Sequence, residues 1–312
     1  MDLQDKIYVA GHTGLVGSAI VRRLEAEGFQ NLLMRTHREL DLTRQEGVDA
    51  FFASERPAYV FLAAARVGGI HANQTHGGAF IYENLIVQSN VIHAAYRQNV
   101  KKLLFLGSSC IYPKLAPQPL KEECLLSGPL EPTNEPYAVA KIAGIKMCEA
   151  YNCQYGTCYM SVMPTNLYGP NDNFDLETSH VLPALIRKIH EAKARKSPEV
   201  MLWGTGKARR EFLYVDDLAE ACVFLMRKYS TAQLGGIVNI GCGEDLTIVE
   251  LAQAIADVIG YRGKFSYDAT KPDGTPQKLL DITRMTRLGW TPGTSLADGL
   301  RKTYKWYCSS LT

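Results

Sequence analysis

Apolar positions along this chain follow two alternating periods. Short runs with apolar centres at residues 7–10, 31–35, 59–63, 102–106 and 161–164 are followed by stretches whose apolar residues return every three or four positions. Val16, Ile20, Val21 and Leu24 form the first such stripe, and Ile81, Leu85, Ile86, Ile92 and Ala95 form a longer one over residues 80–98. Runs without polar interruption are buried on both faces, and strands that alternate with helices build a parallel sheet. The expected fold is therefore α/β: a Rossmann-type doubly wound parallel sheet over residues 1–167. Beyond 167 the alternation lapses. A smaller, discontinuous C-terminal lobe is expected over 168–213 and 241–312, with 214–240 returning to the sheet through a late strand at 238–240.

Local signals refine these boundaries. A short third strand is expected before Asp41, and Thr43 with Glu46 has capping-box spacing. Thr133, Glu135 and Pro136 mark a helix start, which places Tyr137 and Lys141 on the first two turns of a helix over 137–152. Residues 180–195 form a further helix with Val181, Leu185 and Ile189 as its stripe and His180 at its start. Two extended pieces around a turn, 201–206 and 209–216, precede a helix capped by Asp216 or Asp217. Thr247 with Glu250, and Ser295 with Asp298, open the last amphipathic helices.

The chemistry gathers where strands end. Gly11, Gly14 and Gly17 lie between the first strand and its helix, where glycine lets the backbone turn tightly and approach a pyrophosphate at the helix N-terminus. About twenty residues on, where an acid would hold a ribose 2′-hydroxyl, stands Arg35, with His37 and Arg38 beside it. A guanidinium there suits a 2′-phosphate, so NADP is expected over NAD. Asp41 and Leu42 bracket the adenine or cap the following helix. Ser108, Ser109 and Cys110 follow the run at 102–106, and Thr165 and Asn166 follow the one at 161–164, at the strand ends where open α/β sheets place ligands. Tyr137 and Lys141 are one turn apart on one helix face, so the ammonium is expected beneath the phenol, favouring its ionised form.

Composition narrows the class. A net charge of +2 over 312 residues gives no field that argues for nucleic acid or membrane, and the partners expected are small molecules. Eight cysteines occur without a Cys-x-x-Cys pair, so neither a disulfide framework nor a zinc site is signalled. A strand starting near Lys6 leaves no room for a signal peptide, and a cytoplasmic protein is expected.

The glycine loop at 11–17, Ser108 with Ser109, Tyr137 with Lys141, and the segments 131–146, 163–170, 210–217 and 271–276 resemble the extended short-chain dehydrogenase/reductase family. The likeness covers nearly the whole chain and is strongest to members that epimerise and reduce GDP-4-keto-6-deoxy-D-mannose. It implies a reductase triad of Ser108, Tyr137 and Lys141, with Cys110 and His180 as acid and base at C3 and C5. Beside the Arg35, Asp41 and Leu42 read above from their position, it implies NADP contacts from Gly11, His12, Thr13, Gly14, Leu15, Val16 and Gly17, and from Leu106, Gly107, Ser108 and Ser109. Lys141, Pro164, Thr165, Asn166, Leu167 and His180 complete that implied set. Lys188, Trp203, Arg210 and Asp273 are implied to hold the GDP-sugar, and a homodimer is implied through helices 80–98 and 137–152. The chain departs from the family's usual residues at Thr13, His37, Gly77 with Gly78, and Asp175 with Leu176. An epimerase or dehydratase for another nucleotide sugar, or a weakly catalytic NADP-sensing binder, are the alternatives.

Overall fold

The structure, a computed structural model, describes residues 1–271 and 273–311, without the side chains of residues 70 and 71. Pro272 of the 271–276 segment lies outside the described residues. The first half runs β1 (Ile7–Ala10), α1 (Leu15–Ala26), β2 (Leu32–Leu33), α2 (Gln45–Glu55), β3 (Tyr59–Leu62), α3 (Ile70–Thr75), α4 (Gly77–Arg97), β4 (Lys102–Leu106), α5 (Glu135–Tyr155) and β5 (Tyr159–Pro164). Then follow β6 (Asn166–Tyr168), α6 (Val181–Ala194), β7 (Glu199–Trp203), β8 (Arg209–Tyr214), α7 (Val215–Lys228), α8 (Thr231–Leu234) and β9 (Val238–Ile240). The chain ends through β10 (Asp245–Thr247), α9 (Ile248–Ile259), β11 (Lys264–Asp268), β12 (Gln277–Lys278), α10 (Thr283–Arg287) and α11 (Leu296–Ser310).

Six parallel strands make the main sheet, in the order β2-β1-β3-β4-β5-β9. The order reverses direction between β1 and β3, so the loops leaving their carboxyl ends diverge and open a crevice. One face packs Ile20, Leu24, Leu218 and Val223 of α1 and α7, and the other packs Phe52, Val91, Ile92 and Ile145 of α2, α4 and α5. A third core, around Ile189, Leu251, Ile255 and Tyr307, joins α6, α9 and α11 over the smaller sheets. In those sheets β8 pairs with β10, β12 and β6, and β7 pairs with β11.

Glu211 on β8 fastens these units together. Its carboxylate is fully buried and accepts the N–H groups of Cys242 at 2.6 Å, Gly243 at 2.7 Å and Leu280 at 3.0 Å. Its main-chain carbonyl accepts Asn166 Nδ2 at 2.8 Å. Three backbone donors make a carboxylate tolerable in a dry interior.

Several expectations change. No strand forms between residues 35 and 41; the polar run folds instead into a turn in which Glu39 Oε2 accepts Thr36 N–H at 2.7 Å. The Thr43–Glu46 box does not form, because Arg44 is the N-cap and Thr43 is taken by Asp41 Oδ1. In α6 the buried stripe is Leu182, Leu185, Ile186 and Ile189, while Val181 is exposed. The two extended pieces around a turn do form, at 199–203 and 209–214, and the turn through Gly204 and Gly206, at φ +72° and +73°, carries them into different sheets. Tyr214 is the N-cap of α7; Asp217 reaches the Thr294 N–H at 2.8 Å and Asp216 pairs with Arg22 at 2.5 Å. The capping box at Thr247 and Glu250 forms in full, and Ser295 caps α11.

Candidate active site

The crevice begins at the glycine loop. Gly11 holds φ +84°, and a Cβ on it would lie 2.8 Å from the Ala64 nitrogen. A Cβ on Gly17 would lie 2.0 Å from the Gly11 carbonyl oxygen, so α1 packs against the loop as only glycine permits. Gly14 is the N-cap of α1, and His12 Nδ1 is buried without a hydrogen-bond partner among the described residues. This bare helix start, with a buried ring nitrogen beside it, fits the pyrophosphate of a dinucleotide. Gly17→Ala is therefore expected to abolish NADP binding, read by calorimetry, and to lower the unfolding midpoint through a backbone clash of several kcal/mol (about 1–3 for ordinary overpacking).

Not every expected cofactor residue is ready. Arg35 reaches the end of β2, but its guanidinium donates to Glu55 Oε1 at 2.8 Å and to the Met34 carbonyl at 2.9 Å, lying over the Phe51 ring. Gripping a phosphate means exchanging that pair. His37 is exposed with Asp41 3.8 Å away, and Asp41 is engaged by Thr43. Leu42 is buried, with its carbonyl held by Asn90. Thr165 is buried at the end of β5, beside Pro164, and Asn166 and Leu167 begin β6.

At the end of β4 the groups converge. A Cβ on Gly107 would meet Met163 Sδ at 2.4 Å, so the chain passes close over β5 before Ser108 turns it into a short 3-10 segment, Ser109–Ile111. Ser108 Oγ accepts Cys110 Sγ at 3.1 Å and Cys110 N–H at 3.4 Å. Lys141 is buried, donates to the Leu106 carbonyl at 2.8 Å, and lies 5.8 Å from the Tyr137 ring centre. Phe80 stands edge-on to Tyr137 at 6.3 Å.

The electrostatics overturn one expectation. Lys141 does sit against the phenol, but the Tyr137 pKa is raised, because burial outweighs everything else, the Cys110 thiolate adds to it, and only the Ser108 hydrogen bond opposes. Lys141 itself is pushed down to about 8 by burial. Its unfolded value is 10.5, so between pH 8 and 10.5 the folded chain binds fewer protons and stability rises with pH. Below that window the penalty is fully present. Lys141→Met is expected to remove this rise, at most about 3 kcal/mol, in denaturation midpoints measured from pH 7 to 10.5.

Cys110 is buried, which raises its pKa, against pulls from Lys278, Ser108 and Lys141. His180 is the N-cap of α6 and has an accessible face, yet protein crowds it; that desolvation, then Lys278, disfavours the imidazolium. Lys278 thus stands near both groups, and it lines one cavity with Cys110, Lys114 and Glu131. It was missing from the expected set. The β8–β12 register pairs it with Arg210, so two cations lie side by side, with Glu131 drawing on both. Only the proximity of Gln277 and Lys278 to the 271–276 segment could have pointed to it.

On the lobe, Lys188 Nζ lies 5.0 Å from the Trp203 ring centre. Arg210 donates to the Asp273 carbonyl at 3.1 Å, while the Asp273 carboxylate clasps Thr205 through its N–H and hydroxyl, each at 2.8 Å. Asp175, one of the departures, takes the N–H groups of Glu177 and Thr178 at 3.0 Å and so shapes the loop before His180. Gly69 N–H donates to the Thr178 carbonyl at 2.9 Å, which ties that loop to the start of α3.

A glycine-cradled helix start, a strand-end serine and a Tyr-x-x-x-Lys helix in one crevice define an NAD(P)-dependent enzyme of the short-chain dehydrogenase/reductase type. The chain belongs to the NAD dependent epimerase/dehydratase family, whose sequence profile matches residues 7–241. It is 61% identical over 310 residues to GDP-L-fucose synthase 1 of Arabidopsis thaliana, covering 99% of this chain and 95% of that one. GDP-L-fucose synthase of Escherichia coli (strain K12) is 56% identical over 310 residues, covering 97% of each. Among solved structures, a GDP-L-fucose synthetase from Naegleria fowleri bound to NADP superposes with a TM-score of 0.90 at 28% identity, covering 100% of this chain and 96% of that one.

Proposed function

We propose that this chain converts GDP-4-keto-6-deoxy-D-mannose to GDP-L-fucose by 3,5-epimerisation and NADPH-dependent 4-reduction. The observation that carries the reading is the sharing of Ser108 by two functions. It meets the Cys110 thiol on one side and the Tyr137 phenol on the other, so an acid/base group and a proton donor address one carbonyl.

A 4-ketone acidifies the hydrogens on C3 and C5. One of Cys110 and His180 removes a proton, the enolate oxygen takes hydrogen bonds from Ser108 and Tyr137, and the other returns a proton from the opposite face. Both groups then regain their starting protonation states by exchange with solvent, and repetition at the second carbon completes the inversion. NADPH, when bound, supplies the hydride to C4. Tyr137 then gives its proton to the C4 alkoxide, and the Lys141 charge steadies the phenolate left behind. Arg210 and Lys278 lie together as a site for the diphosphate.

We assign residues 1–167 with 214–240 to cofactor binding, and 168–213 with 241–312 to the GDP-sugar. The protein works as a cytoplasmic homodimer through α4 and α5, whose exposed Tyr82, Val139 and Tyr155 favour a partner. No helix among the described residues is long and apolar enough to cross a membrane. Incubation with GDP-4-keto-6-deoxymannose and NADPH in D₂O tests the function. Loss of NADPH absorbance with deuterium at C3 and C5 is expected; unchanged absorbance defeats the proposal.

A further inference from the structure

We propose that Lys271 is a specificity-determining residue that selects a 6-oxopurine base on the Trp203 face; the inference rests on the GDP-sugar reading above. Trp203 closes β7 with 47% of its surface exposed, unusual for a tryptophan on an ordered strand. Two ammonium groups attend its ring, Lys188 at 5.0 Å and Lys271 at 5.3 Å from the centre. Lys188 rises from the half-buried flank of α6, and burial alone disfavours its charge. Lys271 arrives from the exposed side.

The placement of Lys271 is built. Gly204 N–H donates to the Asp268 carbonyl at 2.9 Å, and the Lys271 N–H donates to the same carbonyl at 3.2 Å. Two residues further on, Asp273 clasps Thr205. The segment carrying Lys271 is therefore pinned to the Trp203 turn on both sides. Among the described residues no carboxylate lies within 4.0 Å of either ammonium. Asp268, which Lys271 influences, has its Oδ1 occupied by Thr270. The Lys271 ammonium lies over the ring, and a flat base stacks on the indole when that flexible side chain swings from over the ring to the edge of the base.

Which base follows from the donor pattern. An ammonium only donates. Guanine offers O6 and N7, two adjacent acceptors, on one edge, whereas adenine places an amino donor beside N7. Hypoxanthine keeps the guanine edge. A lysine serving the ribose or phosphates would not distinguish among them.

Calorimetric titration of wild type and Lys271→Met with GDP, IDP and ADP decides the matter, with NADPH binding as the control for folding. Wild type is expected to bind GDP and IDP alike and ADP more weakly. Lys271→Met is expected to lose about tenfold for GDP and IDP and to stay within twofold for ADP. An equal loss for all three, or no loss, overturns the proposal. A wild type that binds none of the three defeats the GDP-sugar reading itself, and the inference with it.

Discussion

Tyr137→Phe should slow NADPH oxidation by about 10²–10⁴-fold, the usual loss when a positioned proton donor is removed. The phenol is set for this task by its surroundings. Burial raises its pKa, so it keeps its proton at working pH. An alkoxide at C4 is far more basic and takes that proton readily. Once the proton has gone, the Lys141 ammonium 5.8 Å from the ring compensates the new negative charge. Phenylalanine preserves the edge-on contact with Phe80, so NADPH affinity and unfolding midpoint should stay near wild type. Stopped-flow reduction with saturating cofactor reads the effect directly. A loss below about tenfold would mean that another group delivers the proton.

Cys110→Ser should reduce deuterium incorporation at C3 and C5 by a comparable factor of about 10²–10⁴ and leave NADPH binding intact. A thiol exchanges protons near neutrality because its intrinsic pKa is about 8.5; a serine hydroxyl lies far above that. Burial pushes the Cys110 thiol upward, and Lys278, Ser108 and Lys141 together restrain the rise. The serine variant keeps the size of the side chain and the hydrogen bond to Ser108, so lost exchange would trace to acidity. Mass spectrometry of the recovered nucleotide sugar measures it. Undiminished exchange at both carbons would remove Cys110 from the acid–base pair and leave His180 with another partner.

How far the residues alone foretold this structure depended on whether a signal was local. The glycine loop, the strands at 7–10, 59–62 and 102–106 and the capping box at Thr247 and Glu250 are each settled within a few residues and form where their patterns lie, whereas of the stretch 31–35 only Leu32–Leu33 is strand. The region from 35 to 44 misled because its cap-like residues bond one another, Glu39 to Thr36 and Asp41 to Thr43, instead of opening a helix. Asp217 misled because its partner, Thr294, is 77 residues away. Lys278 stayed hidden because a strand of two residues carries no period, and only pairing with Arg210 brings it to the site. The direction of the Tyr137 shift was illegible for a different reason. Spacing places an ammonium beside a phenol, but the cost of taking both from water depends on what folds over them, and here burial dominates.

The Glu211 knot bears on how the crevice admits its ligands. A single carboxylate fastens the middle of β8 to the two residues Cys242 and Gly243 just past β9 and to Leu280, across the junction of the two lobes. Prising them apart would strand that charge without its donors, so a wide hinge swing is costly. Entry and exit of the sugar nucleotide then have to proceed without a wide parting of the two lobes.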